Sequence, residues 1–148
     1  FETPNLCKVL NDPNIQIVIH FARKDKSAIE NFLKPRCCIT NLFDSKVASR
    51  IVRKYSNEHG LAALCQEFAG VRLEKRMASS DWAKDISEYS QKEKEYAAGD
   101  VQHLFLIKTK LEAMLKREKK YDIFLKCMEF IDARIALDNL GIDKIFDH

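Results

Sequence analysis

The run Ile15-Gln16-Ile17-Val18-Ile19 constrains what this chain can fold into more than any other stretch. It is β-branched and almost wholly apolar, and it fits a central strand buried on both faces. His20-Phe21-Ala22-Arg23 leads off it. Lys24 to Leu33 then has helical spacing through Ala28, Ile29, Phe32 and Leu33, and Pro35 ends that helix. Asp25 therefore stands just past the carboxyl end of a strand, at the start of a helix. Open α/β sheets bind ligands at that edge. A carboxylate in a first helical turn is also favoured by the helix dipole alone, and local pattern does not separate the two readings.

The other elements follow by the same rules. Pro4 to Leu10 reads as a short helix, with Thr3 as its cap and Pro4 at its first position. Cys38 to Phe43 can form a second short strand. Asp44 or Ser45 then caps a helix from Lys46 to about Tyr55. On that helix Lys46, Arg50, Arg53 and Lys54 form a basic stripe, either a solvated face or a phosphate- or subunit-facing one. Leu61 to Phe68 is a compact helix stopped by Gly70. Residues 72–82 have no clean periodicity but carry bases, hydroxyls and the single tryptophan, Trp82, whose plainest role is a core anchor. A long helix runs from about Ser90 to Lys119. A last helix runs from Tyr121 to Leu140, with Phe124, Leu125, Met128, Phe130, Ile131, Ile135 and Leu137 as its apolar set. Gly141 ends it, and Ile145 and Phe146 in the tail are apolar enough to need a docking surface.

Composition excludes several classes. With 46% hydrophobic and 32% charged residues, the 148-residue chain is ordinary for one globular domain with a real core. No apolar run approaches the ~20 residues that span a bilayer, so no membrane role is expected. The five cysteines show neither a CxxC pair nor metal-ligand spacing with histidine. They read as reduced, mostly buried thiols of a cytoplasmic protein. A net charge of +3 is too small to mark a nucleic-acid binder by itself.

Within the long helix, Tyr96 and Asp100 are four apart and stack on one face beside the small residues Ala97, Ala98 and Gly99. A phenol and a carboxylate so placed suit a site for metal and water, and equally an ordinary surface turn with a core tyrosine. Gly99 inside a helix costs about 1 kcal/mol relative to alanine.

Five motifs occur in order: His20-Phe21-Ala22-Arg23-Lys24-Asp25, Phe43-Asp44-Ser45-Lys46-Val47-Ala48-Ser49-Arg50, His59-Gly60-Leu61, Ser79-Ser80-Asp81-Trp82-Ala83 and Tyr96-Ala97-Ala98-Gly99-Asp100-Val101. Together they resemble the ribonuclease D group of 3′→5′ exonucleases with an Asp-Glu-Asp-Asp-Tyr site. The small bacterial nano-RNase C branch is the nearest in pattern, and the similarity covers nearly the whole chain. The resemblance implies an α/β, ribonuclease H-like fold without its first strands: mostly helical, with about two short strands, residues 1–148 forming one N-terminally incomplete exonuclease domain.

It also implies chemistry. In such a site carboxylates hold two Mg²⁺ or Mn²⁺ ions, which activate water and stabilise the leaving oxygen. Asp25 matches the acid of the second exonuclease motif, and Asp100 and Tyr96 match the third. Asp25 and Asp100 are thus implied metal ligands, and Tyr96 the residue that positions the attacking water. His20, Arg23, Lys75 and Ser79 are implied substrate contacts. The first motif, Asp-x-Glu, is expected upstream of Phe1, which leaves half the ligand set in this sequence. Lys24 stands where the family has an apolar or aromatic residue, and Lys75-Arg76-Met77-Ala78 replaces a glutamine-rich stretch. The implied substrate is short RNA or an RNA 3′ end, cut to nucleoside 5′-monophosphates, and the implied assembly is a homo-oligomer. Two alternatives remain: a truncated, inactive relative that keeps oligomer or RNA-binding surfaces, and an RNA-binding module built on the basic stripe.

Overall fold

The computed structural model describes residues 3–33, 37–73, 81 and 83–142, except the side chain of Ile86. Its elements in order are α1 (Pro4–Asn11), β1 (Ile17–Ile19), α2 (Ala22–Leu33), β2 (Leu42–Asp44), α3 (Ser45–Val52), α4 (Leu61–Ala69), a 3-10 turn (Ile86–Glu88), α5 (Gln91–Gln102), α6 (Leu104–Arg117) and α7 (Tyr121–Asn139). The fold is mostly helical with two short parallel strands, as expected. The strands pair Ile17 with Leu42, Val18 with Phe43 and Ile19 with Asp44. Parallel pairing requires a crossover, and α2 supplies it. Among the described residues, no helix is long and apolar enough to cross a membrane.

Alternation along β2 separates two cores. Phe43 faces a cluster with Val52, Leu64, Ile107, Leu111 and Phe124, beneath α3, α4 and α6. Leu42 faces a second cluster with Leu10, Ala22, Leu33, Ile131 and Ile135, beneath α1, α2 and α7. Truncating a fully buried side chain such as Leu111 to alanine costs about 2–5 kcal/mol.

The burial expected of the first strand is found on the second. All of β2 is buried, whereas each residue of β1 is only half buried and Ile15 is exposed and outside the strand. An open cavity runs along β1, described below. The Cys38–Phe43 strand is likewise shifted, to Leu42–Asp44. Phe32, Leu125 and Phe130, assigned to apolar faces, are exposed. Of the cysteines, Cys38 is exposed and Cys7 and Cys127 are half buried; all five are free thiols.

Asp44 is the knot of the fold. Its side chain, 1% exposed, accepts backbone N–H bonds from Phe21 (3.1 Å), Ala22 (2.8 Å), Lys46 (2.8 Å) and Val47 (3.2 Å). One carboxylate thereby caps both α2 and α3. Phe21 reaches it only with φ 66°. A non-glycine residue in that left-handed region loses about 1–2 kcal/mol. Lys26, 2% exposed, is a second tether: its ammonium donates to Glu30 (2.6 Å) and Ile39 O (2.7 Å) and pairs with Asp132 (3.0 Å). It joins α2 to the approach to β2 and to α7.

Other termini follow the sequence with three corrections, the first being that α3 ends at Val52 rather than near Tyr55. Gly70 ends α4 at φ 67°, and Val71 N–H returns to Cys65 O. Ser90 and Glu93 form a capping box at α5. Thr3, expected to cap α1, makes no side-chain cap bond. The expected helix from Ser90 to Lys119 is two helices, because His103 at φ −97°, ψ −3° interrupts it. Leu104, Ile107, Leu111 and Leu115 keep the inward face of α6 in helical phase. Trp82, Ile145 and Phe146 lie outside the described residues.

Candidate active site

The parallel strands bring α2 and α3 to one edge, the carboxyl ends of β1 and β2. A cavity of about 640 Å³ opens there. Val18, Ile19 and His20 line it from β1 and its end, Asp25, Ala28 and Ile29 from α2, Leu61 from α4, and Asp100, Val101 and Leu104 from α5 and α6. Spacing explains both helical walls. Residues 25, 28 and 29 share one face of α2, and Asp100 and Leu104 are one turn apart across the His103 break. Two carboxylates remote in sequence thus border one mostly apolar space.

The electrostatics of the two sides differ. Burial pushes the Asp100 carboxyl above its usual range, and no described residue supplies a compensating charge or donor. Asp25 is solvent-exposed at the cavity wall. His20 is held at Nδ1, 2.9 Å from Ser45 Oγ, while that hydroxyl lies 3.3 Å from Ile19 O. With the hydroxyl donating to Ile19 O, the His20 Nδ1–H donates to Ser45 and Nε2 keeps its lone pair. Burial lowers the His20 pKa to about 4; Asp44 opposes the shift and Lys46 assists it. The ring is neutral at physiological pH.

The remaining residues singled out in the sequence distribute unevenly. Tyr96 is half buried on α5, one turn before Asp100, and does not line the cavity. Arg23 forms a two-pronged ion pair with Asp138 on α7, so its guanidinium serves the packing of α2 on α7. Lys75 and Ser79 lie outside the described residues. The basic stripe is broken: Arg53 is buried, donating to Glu67, to Ser49 Oγ (3.0 Å) and to Glu58 O (2.6 Å). Arg50 and Lys54 remain exposed. Sequence reading missed Ser45 as the partner of His20. The signal was present in the strand register, since continuing Ile19↔Asp44 by one residue pairs His20 with Ser45.

Among the described residues, no three His, Cys, Asp or Glu side chains gather closely enough to hold a metal ion. The chemistry of Asp25 and Asp100 nevertheless suits a hard divalent cation as part of its ligand set. Both are carboxylates at an open cavity, and desolvation of Asp100 leaves a negative group that a cation would satisfy.

A model of the 3′-5′ exonuclease family matches residues 2–116. The chain belongs to this family. Among its relatives, the chain is 30% identical over 115 residues to the ribonuclease D of Pseudomonas paraeruginosa, which covers 76% of the chain and 29% of that protein. It is 34% identical over 116 residues to the ribonuclease D of Gluconacetobacter diazotrophicus, covering 77% and 28%. The chain therefore spans less than a third of the curated relatives it matches. Its structure superposes on Brucella melitensis NrnC bound to pGG with a TM-score of 0.88 at 35% identity, covering 99% of this chain and 70% of that one. NrnC with bound Mg²⁺ gives 0.86 at 34%, with the same coverage. The chain is ribonuclease D-like, near the nano-RNase C branch, and has the ribonuclease H-like exonuclease fold.

Proposed function

We propose that residues 1–148 form one domain of a two-metal 3′→5′ exoribonuclease that acts on short RNA or RNA 3′ ends and releases nucleoside 5′-monophosphates. The observation that carries this reading is the placement of Asp25 and Asp100, from separate elements, at one cavity on the carboxyl edge of the strands. The Mg²⁺-bound and pGG-bound states of Brucella melitensis NrnC support the choice of metal and of a short substrate.

In this mechanism Asp25 and Asp100 would hold Mg²⁺ or Mn²⁺ ions, and the ions would supply Lewis-acid chemistry for the water and the leaving oxygen. Tyr96, outside the cavity lining but one turn before Asp100, takes the role of orienting the attacking water only by turning toward the cavity. His20, kept neutral and clamped by Ser45, offers Nε2 as an acceptor to a substrate hydroxyl. Val18, Leu61, Val101 and Leu104 give the open cavity its apolar walls. Lys75 and Ser79 contact the substrate phosphate, and Arg23 keeps that role only by leaving Asp138. The enzyme works as a cytoplasmic homo-oligomer.

Two carboxylates leave the ions weakly held, so the 148 residues alone are expected to show little or no hydrolysis. An Asp-x-Glu segment joined upstream restores it. The test supplies Mn²⁺, a labelled dinucleotide and a longer RNA to the extended protein. Release of nucleoside 5′-monophosphate from either supports the reading; release from neither sinks it. The second reading, an inactive relative retaining oligomer or RNA-binding surfaces, is favoured by Lys24 beside Asp25 and by the scarcity of ligands among the described residues. It predicts no turnover even after extension.

A further inference from the structure

The carboxyl edge carries one feature that folding does not account for. Phe21 is a large aromatic residue held at φ 66°, a conformation glycine adopts without strain. Backbone outliers of this kind persist where the surroundings over-determine them, here through the buried Asp44 carboxylate that accepts the Phe21 N–H at 3.1 Å. A ring at such a position would ordinarily recover the cost by burial. The Phe21 ring does not: it is 42% exposed.

Its neighbour is equally specific. Continuing the strand register by two residues pairs Phe21 with Lys46, and the Lys46 ammonium sits 3.9 Å from the ring centroid. The preceding pair in that register, His20 with Ser45, is at the cavity itself. The Lys46 ammonium therefore covers one face of a part-exposed ring, and that ring follows directly on His20, which lines the cavity with Asp25 and Asp100. An aromatic platform beside a cation is the chemistry that binds a single nucleic-acid strand.

We propose that Phe21 and Lys46 form a nucleotide-binding subsite, in which the base stacks on the ring face opposite Lys46 and the ammonium takes a phosphate of the same strand. The proposal rests on the exoribonuclease reading above and adds to it a place for a nucleotide outside the reacting position. The subsite is tolerant of base identity, because every base presents a stacking face.

The test measures equilibrium binding of a 5′-phosphorylated diribonucleotide carrying 2-aminopurine, with Ca²⁺ present. Stacking on Phe21 quenches the probe's emission in the unmodified chain. Phe21→Gly removes the ring and relieves the backbone, so the protein stays folded; affinity falls about tenfold and the quench disappears. Phe21→Tyr retains both. Lys46→Gln weakens the 5′-phosphorylated probe more than the unphosphorylated one. If Phe21→Gly binds as the parent does, the subsite is overturned and the exoribonuclease reading stands. If the unmodified chain binds no dinucleotide, the subsite is overturned, and the exoribonuclease reading is decided separately by turnover in the extended protein. If Phe21→Gly leaves RNA binding intact but lowers the mass seen by light scattering, the ring is a subunit contact and the proposal is overturned.

Discussion

Asp44 and Asp100 are both carboxylates at the carboxyl edge region, and the fold treats them oppositely. Asp44 accepts four backbone N–H bonds, two at the start of α2 and two at the start of α3. Asp100 and Asp25 face a cavity and accept no hydrogen bond from any described residue. One carboxylate is consumed in holding two helices to a sheet. The other two leave their oxygens open to something outside the fold. The contrast separates structural from chemical acids by what already occupies their oxygens.

The largest effect should come from Asp44→Ala. It strips the caps from two helices and leaves buried N–H groups without acceptors, a loss of about 2–4 kcal/mol in urea unfolding. A loss under about 1 kcal/mol would break the comparison.

A smaller effect separates the neutral His20 from the acids around it. Its folded pKa of about 4 lies below its ordinary 6.5, so the unfolded chain takes up the proton first. Stability is fully present above pH 6.5 and falls as pH drops through 6.5 toward 4. His20→Gln should flatten this window in urea midpoints compared at pH 7 and pH 5. Glu93 acts lower on the scale: its ion pair with Lys84 and its bonds to Ser90 hold it at about 2, so its contribution is lost as pH falls from about 4.5 toward 2.

The smallest change in stability is expected for Asp100→Asn, within about 0.5 kcal/mol and in either direction. The substitution removes a desolvated charge and no described bond. The same variant should weaken Mn²⁺ binding by about tenfold or more in titration calorimetry. A large stability loss without a change in Mn²⁺ binding would assign Asp100 to the fold and erase the distinction from Asp44.

Much of this was legible in the chain. The β-branched run before Asp25, the turn chemistry at Gly70 and the helix start near Ser90 are local patterns, and each formed near where its residues predicted. The order of the motifs identified the family, which the comparison with known exonucleases shows. What stayed illegible involved partners distant in sequence. Arg53 reads as one member of a basic stripe until Glu67 and Glu58 O are found against it. Arg23 reads as a substrate contact until Asp138 meets it from α7. Lys26, not singled out in the sequence, proves to be a tether once Asp132 and Ile39 O enclose it.

The sequence by itself determined where helices and strands arise and which family they belong to, because periodicity and capping are properties of neighbours along the chain. Only the tertiary structure decided which charges are spent on packing and which face the cavity. That division depends on which remote backbone or side chain arrives against each carboxylate, a matter of chain closure that no local spacing encodes.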